Sequence, residues 1–210
     1  MSATRLTTLL CSRLCHDLVS PVGAVNNGLE MLAEETDPAM REQAMKLVVQ
    51  SAAEAARRLW FFRLAFGAAG AAGDQIAIDE GRKAAEGMFV TGRVRLDWPS
   101  AGANLDKGAM KLLLNLVLVA AAALPKGGEV KVRIETDGSR TKLGLTAAGS
   151  GARHGEEAGD ALAGSIDETV LDGRSAVHHF VRVLASDLGA KLESHEQTDL
   201  VEIVALVPKG

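Results

Sequence analysis

Tyrosine is absent from the 210 residues, aromatic side chains make up only 3% of them, and cysteine occurs twice. So few rings argue against an all-β sandwich, and the abundance of alanine favours closely packed helices. No apolar run reaches the ~18 to 20 residues that a membrane-spanning helix needs. The N-terminus also lacks the charged-then-apolar order of a signal peptide, so a cytoplasmic protein with no membrane partner is expected. Net charge is −4 with the two signs interspersed, and no basic stripe marks a nucleic-acid footprint. Cys11 and Cys15 stand one helical turn apart, as core thiols on one face would, and not as part of a disulfide framework. They point to a different face from His16 and no fourth ligand is evident, so no metal site is expected.

The apolar fraction of 47% suffices for a real core in one large domain or two small ones. Cys11, Cys15, Leu18, Val22, Val25, Leu29 and Leu32 recur at alternating spacings of four and three, which predicts a helix over about residues 4–35 burying that stripe. Thr36-Asp37-Pro38 stops it and starts a second helix over about 38–66, with Asp37 as cap and Pro38 in the first turn. Inward positions of the second helix are Met40, Ala44, Leu47, Ser51, Ala55, Leu59, Phe62 and Phe66. Two such helices cannot bury both stripes against each other, so a homodimer built on a four-helix bundle is expected.

His16 lies beside the stripe, where its ring reaches solvent from a rigid support. Ser12, Arg13, Ser20, Gly23 and Asn27 share its side, and the small residues among them would let another protein's backbone come close. Counting back roughly 20 residues, ~30 Å, from the turn puts His16 level with Arg57 and Arg58 of the second helix. These arginines are positioned to steady an anionic group; the plainer reading of each is a solvated charge.

Gly67-Ala-Ala-Gly-Ala-Ala-Gly73 then reads as a linker between a first domain, residues 1–70, and a second, residues 74–210. In the second, residues 76–91 hold a short apolar start and a helix, 93–98 alternate as a strand, and 106–124 form a strongly apolar helix. Strands at 129–136 and 142–146 join through Asp137-Gly138. A glycine-rich loop, a helix over 174–188, and a final hairpin of 191–196 and 200–207 complete an α/β sandwich, so the chain as a whole is α+β.

The stretch Leu14-Cys-His16-Asp17-Leu-Val19-Ser20-Pro21-Val-Gly-Ala-Val25 resembles the H-box of sensor histidine kinases, whose histidine accepts a phosphoryl group. On that resemblance Asp17 takes the acidic position beside the histidine and Pro21 the proline. Ser20 stands where Thr or Asn is usual, which weakens the case for phosphatase activity, and Val19 stands where a basic residue is often found, which implies altered partner contacts.

The order of parts after residue 74 resembles the kinases' ATP-binding domain, with its nucleotide motifs altered. Asn115-Leu-Val-Leu-Val119-Ala120 keeps the first asparagine of one motif but puts Val119 at the magnesium-holding second, and an isopropyl group cannot ligate a hard cation. Ala147-Ala-Gly149-Ser-Gly151 keeps two glycines but lacks the adenine-reading carboxylate. Leu171-Asp-Gly173-Arg174-Ser175 has one glycine where the phosphate-cradling loop carries three.

A phosphoaccepting hairpin joined to a sandwich without nucleotide chemistry resembles the ChpT-type histidine phosphotransferases of alphaproteobacterial cell-cycle phosphorelays. The resemblance implies His16 as the carrier, with Asp17, Ser20, Arg57 and Arg58 in support and Arg13, Gly23 and Asn27 touching partners. It implies no ATP or other cofactor in this chain, magnesium being supplied by the partner receiver domain. The implied donor is the receiver of a CckA-like hybrid kinase, and the implied acceptors are CtrA-like and CpdR-like response regulators. An active kinase with a divergent ATP site and a non-enzymatic dimeric adaptor are the alternatives.

Overall fold

The computed structural model describes residues 2–67, 74–99, 103–167 and 169–209, so most of the expected linker lies outside the described residues. Helix α1, Ala3–Glu34, begins where the Ser2 hydroxyl accepts from the Arg5 N–H at 3.3 Å. Helix α2, Pro38–Phe66, begins where the Asp37 carboxylate accepts from the N–H groups of Ala39 and Met40 at 2.8 and 3.0 Å. Between them Arg41 reaches back, and its Nη1 donates to the carbonyls of Leu32 and Glu35 at 2.6 and 2.8 Å. Carbonyls that the end of α1 leaves without helical donors are satisfied from α2.

The face that α1 buries is not the expected stripe. Pro21 and Gly28 are its buried residues, with Ala44 and Ser51 opposite on α2. A Cβ at Gly28 would stand 2.6 Å from Val48 Cγ2, so the absence of a side chain there permits the close approach of the helices. Cys11, Cys15, Val22 and Leu29 are exposed, as are Met40, Leu47 and Leu59 of α2. The reason is angular: Val22 and Leu29 lie one residue, about 100° of rotation, from Pro21 and Gly28. Small residues won the intramolecular contact and left larger apolar ones outside.

After strand β1, Gln75–Ala77, come α3, Ile78–Phe89, β2, Val94–Asp97, and β3, Asn104–Asp106. Strands β1 and β3 pair antiparallel in a small sheet that the sequence did not announce. Helix α4, Lys107–Ala122, is followed by β4, Gly128–Thr136, and β5, Arg140–Ala148. Helix α5, Glu156–Ala163, occupies part of the stretch expected to be loop, and it ends on Gly164 in the left-handed region. Helix α6, Ser175–Asp187, and strands β6, Lys191–Gln197, and β7, Leu200–Pro208, close the chain.

The main sheet runs β2-β4-β5-β7-β6, with β2 parallel to β4 and the other pairs antiparallel. Alternation sets its inner face: Val130 and Val132, Leu143, Leu145 and Ala147, and Val201, Ile203 and Ala205 are buried. Helix α4 is buried nearly all round, from Leu112 to Ala120, which is why it reads as apolar without a polar stripe. The end of α2 enters the same core: Phe61, Phe62 and Ala65 belong to one cluster with the residues of α4 and the sheet. Among the described residues no helix is long and apolar enough to cross a membrane.

Candidate functional site

His16 projects from α1 with 85% of its side chain exposed, whereas the neighbouring Asp17 side chain is only 14% exposed. Asp17 Oδ1 lies 3.2 Å from His16 Nδ1, and Asp17 Oδ2 accepts from Arg13 Nε at 2.9 Å. The arginine one turn earlier pins the carboxylate, and the carboxylate addresses one ring nitrogen. A carboxylate at Nδ1 favours the tautomer in which Nδ1 carries the hydrogen and donates it, leaving the Nε2 lone pair for chemistry.

The two arginines of α2 diverge. Arg58 turns to α1, where its Nη1 donates to the backbone carbonyl of Asp17 while its Nη2 donates to Glu54 Oε1. Arg57 turns to α3: a Cβ at Gly87 would stand 3.3 Å from Arg57 Cδ, and its Nε is buried without a hydrogen-bond partner. Ser20 and Asn27 are exposed on α1, and Gly23 is half-buried with nothing within 4 Å of the position a Cβ would take.

Sequence reasoning missed the other wall of the site. A recess of about 150 Å³ beside His16 is lined by Ser12 and Arg13 of α1 and by Asp172, Gly173 and Arg174, which precede α6. The loop is tied to α1 through Arg5 Nη2, which donates to the Thr169 carbonyl at 2.6 Å. Behind it a larger cavity of about 470 Å³ extends inward from Arg13, Asp17 and Arg174 past Phe62, Phe66 and Leu118. The one available signal was positional, since Arg174 sits in the stretch compared with the phosphate loop. Nothing in the local sequence says that this stretch packs against α1.

The residues compared with nucleotide motifs have other tasks. Asn115 is fully buried and its Nδ2 donates to the carbonyls of Ala65 and Lys111 at 2.8 and 2.9 Å. Val119 is fully buried. Asp172 Oδ1 accepts from the Arg174 N–H, the Ser175 N–H and the Ser175 hydroxyl at 2.7, 2.8 and 2.9 Å. Partial burial works against the charge on Asp172, but the hydrogen bonds from Ser175 and Arg174 outweigh it and hold the carboxyl below its ordinary range. A carboxylate of the chain itself thus meets the first N–H groups of α6.

The model of the histidine phosphotransferase C-terminal domain matches residues 78–199. Protein phosphotransferase ChpT of Brucella abortus (strain 2308) is 38% identical over 195 residues, which cover 93% of this chain and 92% of that protein. The chain belongs to the histidine phosphotransferase family. A solved bacterial phosphotransferase, 36% identical, shares the fold with a TM-score of 0.84 over 98% of this chain and 97% of its own. This agrees with the α+β architecture expected from the sequence, a helical hairpin followed by a sheet domain. In this histidine phosphotransferase, His16 is thus an exposed imidazole backed by a pinned carboxylate and walled on one side by Asp172, Gly173 and Arg174.

Proposed function

We propose that His16 carries a phosphoryl group between the aspartates of receiver domains, and that the chain does so without ATP. The observation that carries this reading is the Arg13–Asp17–His16 arrangement, which orients an exposed imidazole toward solvent. In the uptake step the Nε2 lone pair attacks the phosphorus of a phospho-aspartate in line. The P–N bond forms as the P–O bond breaks, and the electron pair returns to the aspartate carboxylate. Delivery is the same exchange in reverse on a second receiver. The imidazolium character that Nε2 gains in the adduct is balanced across Nδ1–H by Asp17, which Arg13 keeps in place. Magnesium belongs to the receiver and screens the phosphoryl oxygens there.

Three features support the absence of ATP chemistry. The amide of Asn115 is spent on α2, Val119 is an apolar core residue, and Asp172 occupies the N–H groups at the start of α6 that a phosphate would need. A homodimer is part of the same reading. Each helix of the hairpin leaves an apolar series outside, Val22 and Leu29 on α1 and Met45, Val49 and Leu59 on α2, and a second copy would cover them in a four-helix bundle. Arg13, Ser20, Gly23 and Asn27 form the approach to His16, and the cytoplasm is where receivers would meet it. The donor proposed is a CckA-like hybrid-kinase receiver, and the acceptors are CtrA-like and CpdR-like regulators.

The test is transfer of labelled phosphoryl from a phosphorylated receiver domain to the protein, beside His16→Ala and beside labelled ATP. Label on the wild type from the receiver alone supports the shuttle. Label from ATP alone makes it a kinase, and label from neither leaves a binding protein.

A further inference from the structure

A proline inside an α-helix removes one hydrogen bond, because it brings no N–H to the carbonyl four residues earlier, and its ring crowds that same carbonyl. Pro21 is buried within α1, so the carbonyl deprived of its donor is that of Asp17. This is the residue whose carboxylate faces His16. The missing donor is replaced from the other helix: Arg58 Nη1 donates to the Asp17 carbonyl, and Glu54 on α2 holds Arg58 by its Nη2.

We propose that Arg58 is a positioning residue for phosphotransfer, clamping the carbonyl that Pro21 orphans and so fixing the aim of Asp17 and His16. The proposal rests on the reading of His16 as the phosphoryl carrier. It differs from a role in steadying the phosphoryl group. The Arg58 side chain is 24% exposed and committed to Asp17 and Glu54, while the His16 ring stands 85% in solvent. It also differs from ordinary end-capping. Arg41 serves carbonyls that the end of any helix would leave open, whereas the Asp17 carbonyl lies mid-helix and is open only because residue 21 is proline.

The sequence therefore contains its own control. Pro21→Ala returns an N–H to α1, gives the Asp17 carbonyl its helical donor and makes Arg58 dispensable. The experiment compares the wild type, Arg58→Met, Pro21→Ala and the double variant in transfer from a labelled receiver domain. A second readout is the ¹⁵N signals of the His16 ring, which report its tautomer without any phosphoryl group. Arg58→Met is expected to lower the maximal transfer rate about tenfold with little change in the receiver concentration at half-saturation, and to mix the ring tautomers. On the Pro21→Ala background the same substitution is expected to change neither. An equal loss on both backgrounds overturns the proposal, because Arg58 would then act independently of the orphaned carbonyl. No loss on either background overturns it as well.

If Arg58→Met unfolds the hairpin, Arg58→Lys, which keeps one donor but not the fork, replaces it and must show the same dependence on residue 21. If the wild type takes no label at all, the carrier reading fails. The tautomer cycle still reports whether Arg58 and Pro21 are coupled.

Discussion

The side-chain amide of Asn115 on α4 donates to the main-chain carbonyl of Ala65 on α2 at 2.8 Å. Lys111, one turn earlier on α4, reaches the Gly67 carbonyl in the same way. The Ala65 carbonyl at the end of α2 and the Gly67 carbonyl just after it are thus both met by side chains of the helix on which α2 packs. An asparagine that resembles part of a nucleotide motif holds two pieces of the fold together.

Asn115→Leu is therefore expected to destabilise the protein. Stranding the Ala65 carbonyl in the core costs about 1–3 kcal/mol in general. Because Asn115 Oδ1 itself lacks a partner, the lower end of that range is expected. Urea denaturation followed by circular dichroism measures it, and magnesium-ATP is expected to leave the midpoints of both proteins unmoved.

Asp17→Asn keeps the shape of the side chain but removes the charge that Arg13 pins and that faces His16 Nδ1. Loss of a charged hydrogen bond of roughly 1.5 kcal/mol corresponds to about a tenfold slower uptake of phosphoryl by His16. Rapid-quench transfer from a labelled receiver reads this directly. A rate within twofold of the wild type would remove Asp17 from the mechanism.

Stability should fall in mild acid because of His178. Burial pushes its pKa down to about 4, against the pull of the Arg174 carbonyl that faces its Nδ1 at 3.2 Å. In the unfolded chain the ring titrates near its ordinary value of about 6.5. Between those limits the unfolded state binds a proton that the native state refuses, so the stabilisation is complete above about pH 6.5. It is lost as pH drops toward 4, at up to about 1.4 kcal/mol per pH unit. His154, lowered chiefly by burial, acts in the same direction. Unfolding free energies of the wild type and His178→Leu at pH 7 and pH 5 test this: the variant is expected to lose less between the two.

The outward apolar series predicts the oligomeric state. Leu29 and Val49 are 51% and 59% exposed in the single chain. Replacing both by glutamate places charges where a second copy would cover them, and light scattering is expected to show a dimer for the wild type and a monomer for the variant. A melting temperature close to that of the wild-type monomer fraction would show that the fold within each chain is intact.

Much of this architecture was legible because the signals were local. Asp37 followed by Pro38 marks the start of α2 to the residue, and the alternation of Val201, Ile203, Ala205 and Val207 marks β7. Helix α5 escaped notice because eight residues, alanine-rich and flanked by glycine, carry too little periodicity. The cysteines were misplaced for a different reason. An apolar stripe says that a face is to be covered, but not by what, and Pro21, Gly28, Ala44 and Ser51 took the intramolecular contact through closeness. Arg174 was invisible as a neighbour of His16 because about 160 residues separate them, and no pattern in either segment refers to the other. Arg58 could be set level with His16 by counting back from the turn, but its bond to the Asp17 carbonyl could not be foreseen, since a missing N–H at Pro21 becomes a requirement only once the helices are paired.

The burial of Phe61, Phe62 and Ala65 in the common cluster sets a limit on rearranging this protein. The last two turns of α2 are part of the inside of the neighbouring layer, so the hairpin is not a detachable module. A chimera spliced after Gly67 would leave two phenylalanines without their sockets and open a hole beside α4. Exchange of the helical hairpin between relatives has to be made upstream of Phe61, or it must carry the matching residues of α4 along with it.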